Sequence, residues 1–208
     1  MPSRVLSISL APSVALSSLT LSRKVIVCGD RAPELALSII SRAVCHNKQV
    51  RFICSDNRFD PYAVTRFAKR FRRRPEDALR SILIARAFTA YQLVELVSRL
   101  DPVSNAKNLV VISGPCSLFF DEDVALVDAA RLFYRMLWRL VEMAESGTTL
   151  LLAQGSPPTS TRRAYFLTDL CRASDVILSY EAAHTFTLEY RGRKALARLK
   201  ALDRMMEE

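Results

Sequence analysis

Val25-Ile26-Val27-Cys28-Gly29-Asp30-Arg31-Ala32-Pro33-Glu34-Leu35-Ala36 joins an apolar run to a helical pattern through a glycine. This is the layout of a phosphate-binding loop. In such a loop backbone N–H groups wrap the phosphates, a Lys reaches the β/γ oxygens, and a Ser or Thr hydroxyl ligates Mg²⁺. The residue types that do this chemistry are missing here. Gly29 stands at the first glycine, but Glu34 holds the second glycine position, and Leu35 and Ala36 replace the Lys and the hydroxyl residue. A carboxylate about 4 Å from a phosphate charge is repelled by roughly 4 kcal/mol at an effective dielectric of about 20. The stretch reads as a nucleotide fold that has lost its nucleotide. The plainer alternative is an ordinary strand–turn–helix, which also begins with Gly in α/β domains.

Outward from this stretch, apolar runs of strand length alternate with helical patterns. The runs cover residues 25–28, 50–54, 82–85, 109–112, 149–153, 176–178 and 185–190. Short continuous apolar runs are what strands buried on both faces look like, and alternation with helices predicts a mostly parallel sheet flanked by helices. The last two runs are close enough for an antiparallel hairpin at the sheet edge. Helical spacing predicts helices over 34–44, 61–70, 91–100 and about 124–146. In the last of these Asp128, Arg131, Arg135, Arg139 and Glu142 fall on one face, leaving Phe133, Met136, Leu137, Leu140 and Val141 for the core.

At 208 residues, half of them apolar, the chain is long enough for one domain with a core that needs no disulfide or metal staple. The expected organisation is a leading strand or arm over 1–22, a core over 23–190 and a basic C-terminal helix over 191–208. No run reaches the roughly 18 apolar residues of a membrane span. Cys28, Cys45, Cys54, Cys116 and Cys171 are odd in number, widely spaced and without a C-x-x-C pair, which implies a reducing, intracellular compartment, cytoplasmic or nuclear, and no zinc site. His46 and His184 have no ligand-like neighbours. Segment 1–23 is Ser-rich and lacks acids, faintly like a transit peptide, but a leading strand over 5–10 fits it better. The formal net charge of +9 favours a polyanionic partner such as nucleic acid.

Four downstream segments carry a resemblance. Ser55-Asp56-Asn57-Arg58-Phe59-Asp60-Pro61 follows the second strand; Ala85-Arg86-Ala87-Phe88 leads to Tyr91-Gln92-Leu93; Leu109-Val110-Val111-Ile112-Ser113 and Leu150-Leu151-Leu152-Ala153-Gln154 end two later strands. In this order, across nearly the whole chain, they resemble RecA-like recombinases of the archaeal and eukaryotic branch. That resemblance implies a P-loop ATPase core with a C-terminal antiparallel hairpin. It also implies roles: a water-positioning carboxylate at Asp56, an Mg²⁺-orienting acid at the place of Ser113, and a γ-phosphate sensor at Gln154. The Lys, the hydroxyl residue and the Mg²⁺-orienting Asp are absent, so a pseudo-ATPase with neither nucleotide cofactor nor metal is expected. Read on their own, Asp56 is equally a turn carboxylate ahead of Pro61 and Gln154 a polar strand end. The family's small DNA-binding domain and F-x-x-A polymerisation tag are not found, a profile that resembles core-only recombinase paralogs acting in hetero-oligomers.

Arg66, Lys69, Arg70, Arg72, Arg73 and Arg74 are six cations in nine residues, interleaved with Phe67 and Phe71. The i,i+4 aromatics are expected to face the core and the cations to spread outward, where they would bind phosphates without sequence preference. A solvated helix end is the bland alternative. Loop 114–123 carries Phe119 and Phe120 but also Asp121, Glu122 and Asp123, which phosphate would avoid. Loop 155–163 ends in Arg162 and Arg163, and Arg191, Arg193 and Lys194 begin the last helix, joined by Arg198 and Lys200. The function expected from all this is a non-catalytic, paralog-like accessory protein that binds DNA, a recombinase partner or both in homologous-recombination repair. A subunit of a composite ATPase acting in trans, with Asp56 or a surface Arg crossing the interface, is one alternative. A RecA-fold scaffold unrelated to DNA is the other.

Overall fold

Val25 and Val27 point to one side of the sheet and Ile26 to the other, and both sides are covered by apolar side chains. That is why the run is continuous rather than alternating. The computed structural model describes residues 4–8, 23–101, 108–159, 161–180 and 186–190. Strands β1 (Arg4–Ile8), β2 (Lys24–Cys28), β3 (Gln49–Cys54), β4 (Ile82–Arg86), β5 (Asn108–Ser113), β6 (Thr149–Gln154), β7 (Val176–Tyr180) and β8 (Phe186–Tyr190) form one sheet in the order β1-β8-β7-β2-β6-β5-β3-β4. From β7 across to β4 every neighbouring pair is parallel. β8 runs antiparallel to β7 and to β1, so the leading segment does add a strand, at the far edge. The expected C-terminal helix over 191–208 lies outside the described residues.

Helices α1 (Ala32–Cys45), α2 (Pro61–Arg70) and α3 (Pro75–Arg80) cover one face, where Leu35, Ala36, Ile40, Val64, Ala68 and Ala78 join a core with Val50, Phe52 and Leu151. Helices α4 (Ala90–Ser98), α5 (Leu126–Glu145) and α6 (Tyr165–Ala173) cover the other, with Leu93, Val97, Phe133, Met136, Phe166 and Leu170 packed on Ile112 and Leu152. Each fully buried Val, Leu, Ile, Phe or Met among them stabilises by roughly 1.5–3 kcal/mol relative to exposure. Phe133 sits at the centre of the second core, 4.6 Å from Phe166 and 5.4 Å from Phe119 between ring centroids. Leu137 and Val141, expected in the core, are only half-buried, and Leu132 and Met143 take those places.

The helices that flank the site have well-defined ends. Asp60 caps α2 by accepting from the Tyr62 N–H at 2.8 Å, with Pro61 as the first helical residue. At its other end the Arg73 N–H reaches the Ala68 carbonyl and the Arg72 N–H the Lys69 carbonyl, with Arg72 itself left-handed at φ 54°. α1 ends the same way, through Lys48 to Ala43 and Asn47 to Val44, with Asn47 at φ 60°. Among the described residues no helix is long and apolar enough to cross a membrane.

Candidate functional site

In a parallel sheet all strand ends of one kind lie on one edge, and a crevice opens where neighbouring strands send their helices to opposite faces. β2 and β6 are such a pair, since α1 covers one face and α6 the other; β3 and β5, followed by α2 and α5, are a second. The register Cys28↔Gln154, Ser113↔Ala153 and Cys54↔Ser113 therefore gathers Gly29, Asp56, Ser113 and Gln154 at one edge. A cleft of about 280 Å³ lies there, with Pro33, Asp56, Arg58, Ser117, Phe120 and Gln154 among its walls.

Asp56, Ser113, Ser55 and Gln154 all have hydrogen-bond partners at this edge. Ser113 Oγ donates to Asp56 Oδ2 at 2.7 Å, and the Arg58 N–H donates to Asp56 Oδ1 at 3.1 Å. Ser55 Oγ is shared between the carbonyls of Ser113 and Gly114, at 2.8 and 2.6 Å. Gln154, buried, accepts the Cys116 N–H at 2.7 Å and donates to the Gly155 carbonyl at 3.1 Å. Gly114 is left-handed at φ 74°, and a Cβ there would meet the Asp56 Cβ at 2.7 Å. Only a glycine lets β5 pass this close to Asp56.

The turn after β2 occupies residues 29–31 alone, because α1 already begins at Ala32. The Gly29 N–H goes to the Gln154 carbonyl and the Ala32 N–H to the Gly29 carbonyl, while Pro33 has no N–H. Leu35 and Ala36 sit one turn into the helix and pack into the core beneath the sheet face, away from the cleft. Glu34 is exposed and lines an adjoining groove between α1 and α2. The acid and the two apolar residues thus lie outside the cleft walls. Among the described residues no group of three or more His, Cys, Asp or Glu could hold a metal ion.

Thiols line the apolar side of the same edge. Cys28 and Cys171 Sγ atoms are 3.7 Å apart. Their mutual hydrogen bond, then burial, push the Cys28 thiol far above the usual 9.0. Burial raises Cys116 well above that value too, and raises Cys54, whose Sγ lies 3.6 Å from Asp56. These are neutral thiols, inert by the usual measure of thiolate content.

The basic residues divide. Arg66, Lys69, Arg70, Arg72, Arg73 and Arg74 are all exposed along the end of α2 and the turn behind it, and Arg162 is exposed as well. Arg66 also pairs with Asp60 at 3.3 Å. Arg163 is corrected: it is buried, and its guanidinium donates to the carbonyls of Phe119, Asp121 and Val124, holding the acidic loop together from inside. Phe119 and Phe120 are buried with it. Arg191, Arg193 and Lys194 lie outside the described residues. Phe67 and Phe71 are also corrected, since Phe71 is 42% exposed and stacks on a half-buried Phe67 at 5.5 Å rather than entering the core.

No family model matches this chain, and no curated protein matches it.

Proposed function

We propose that the chain is a DNA-binding accessory protein with a RecA-like, P-loop-type core and a C-terminal β7–β8 hairpin, one that does not turn over ATP. It works beside a recombinase or a recombinase paralog in recombinational repair. The observation that carries this reading is the shortness of the turn over residues 29–31. A phosphate-wrapping loop needs a row of free amides between strand and helix, and here the helix starts too early to leave one. Ser113 and Asp56 satisfy each other, and Gln154 is held by the Cys116 N–H and the Gly155 carbonyl, so these three side chains are not left open for a metal-bound phosphate. What the fold offers instead is its exterior. Six exposed cations at the end of α2 are placed where the helix dipole favours positive charge and a DNA backbone can approach.

A protein partner has its own natural place. β4 is the last strand of the sheet, and among the described residues nothing pairs with its outer edge. Leu83 and Phe88 there are 63% and 70% exposed, an unguarded edge of the kind that a partner strand completes.

Two titrations test the reading. Calorimetry with Mg-ATP should give no binding heat. Fluorescence anisotropy with labelled DNA should show affinity falling roughly 10²-fold between about 50 and 200 mM salt, as for some four neutralised phosphates. Tight Mg²⁺-dependent ATP binding, or no DNA binding at the lower salt, defeats it.

A further inference from the structure

The groove between α1 and α2, about 610 Å³, adjoins the strand-end cleft, sharing Pro33 and Arg58 with it, and combines three features. Arg58, Arg66 and Arg70 line it, and neither Arg58 nor Arg70 has an ion-pair partner among the described residues. Ser41 also lines it; this side chain is 1% exposed and its hydroxyl has no hydrogen-bond partner among the described residues. A buried, unpaired hydroxyl is costly to keep unless something outside the chain completes it. Phe67 forms part of the wall, and its ring is nearly parallel to that of Phe71, at 12°, so that an aromatic stack continues from the groove to the surface.

Two carboxylates sort out what can enter. Glu34 and Asp60 share the lining, and Asp60 is engaged by Arg66. They repel a phosphate from the interior but accept hydrogen bonds from a neutral base edge, whereas the arginines attract phosphates. A nucleotide unit of a flexible strand meets both demands at once. Its base enters flat against phenylalanine with its edge toward Ser41, and its backbone stays with the arginines and the exposed Lys69, Arg72 and Arg73. Duplex DNA, with its bases stacked and paired, satisfies only the second.

We propose that this groove is a single-stranded DNA site that holds an unstacked base. The proposal rests on the reading of the chain as a DNA-binding protein and adds the form of DNA that it selects.

The test uses the full chain and three labelled probes of equal length: oligothymidylate, an abasic deoxyribose-phosphate chain with the same phosphates, and blunt duplex. Oligothymidylate should bind most tightly. Phe67→Ala, at a half-buried position in the groove wall and outside both cores, should weaken oligothymidylate binding by roughly 5- to 150-fold, the loss of one stacked base, and leave abasic binding unchanged. Ser41→Ala removes only an unpaired hydroxyl, so it should fold normally and still narrow the gap between oligothymidylate and the abasic chain. Equal affinity for oligothymidylate and the abasic chain, insensitive to both variants, overturns the groove while leaving DNA binding intact. Absence of binding to all three probes overturns both.

Discussion

Ser113 donates its hydroxyl to Asp56 across 2.7 Å, tying the end of β5 to the segment that follows β3. The one carboxylate in the cleft wall is thereby occupied by a neighbouring strand. Introducing an acid with Ser113→Asp should not create nucleotide binding, because it sets two carboxylates against each other. One of them then has a folded pKa above its unfolded value. Its stabilisation is fully present below the unfolded carboxyl value of about 4 and lost as pH rises through the raised one. The variant should therefore lose about 1–4 kcal/mol at pH near 7, and recover as pH falls, in urea melts followed by circular dichroism. A variant as stable as the parent at neutral pH, or one that gains Mg-ATP binding, contradicts this account.

The parallel sheet was legible because its strands are buried on both faces and so read as unbroken apolar runs; β2, β5 and β6 fall where those runs lie. α2 was legible to the residue, since Asp60-Pro61 is a cap followed by a first-turn proline. Pro75 opens α3 in the same way, but that helix is too short to show a period in the sequence. α6 is masked for a similar reason, with only Phe166 and Leu170 buried. The site was less legible than the fold. Asp56, Ser113 and Gln154 meet only through strand register, which no spacing along the chain encodes. Arg163 reads like Arg162 beside it until the carbonyls of residues 119–124 close around one and not the other. Ser41 gives no signal at all: a serine in a helix is ordinary until its hydroxyl turns out to be buried and unpaired.

Gln154 belongs to the scaffold of the cleft. Gln154→Ala leaves the Cys116 N–H buried without its acceptor. The expected loss is about 1–3 kcal/mol in urea melts, with DNA affinity unchanged at matched folding. If Gln154→Ala abolished DNA binding in a protein of parental stability, Gln154 would be a ligand contact.

Arg163 likewise acts through the fold. Arg163→Ala removes a buried cation and orphans carbonyls of Phe119, Asp121 and Val124, for an expected cost of at least about 2 kcal/mol. Arg162→Ala next to it, exposed, should change stability by less than about 0.5 kcal/mol. The slope of log affinity against log salt should be unaltered in Arg163→Ala; a smaller slope would put Arg163 on phosphate.

The buried thiols make stability fall in alkali. Cys28, Cys54 and Cys116 are raised above 9.0 in the folded chain by burial and by neighbouring thiols or Asp56. Their contribution is fully present below the unfolded thiol value and disappears as pH climbs toward the raised folded values. Melting temperature should hold from neutral pH to about 8.5 and drop above it, and Cys116 should react with a disulfide reagent only after urea is added. Fast labelling of Cys116 in the native protein at neutral pH would refute its burial as the cause.

Arg72 separates the role of the α2 terminus in the fold from the DNA binding proposed for it. Its φ of 54° is a conformation that glycine adopts freely and arginine at a cost. Arg72→Gly should therefore stabilise the chain, by up to about 1 kcal/mol in urea melts. The same change removes one exposed cation from the cluster, so the salt slope for DNA should shrink by about one unit while Lys69→Ala, which has no such strain to relieve, shrinks it without raising stability. A more stable variant with weaker, less salt-dependent binding means that this arginine is kept for its charge against the preference of its own backbone. An unchanged salt slope in both variants would move the DNA contact away from α2.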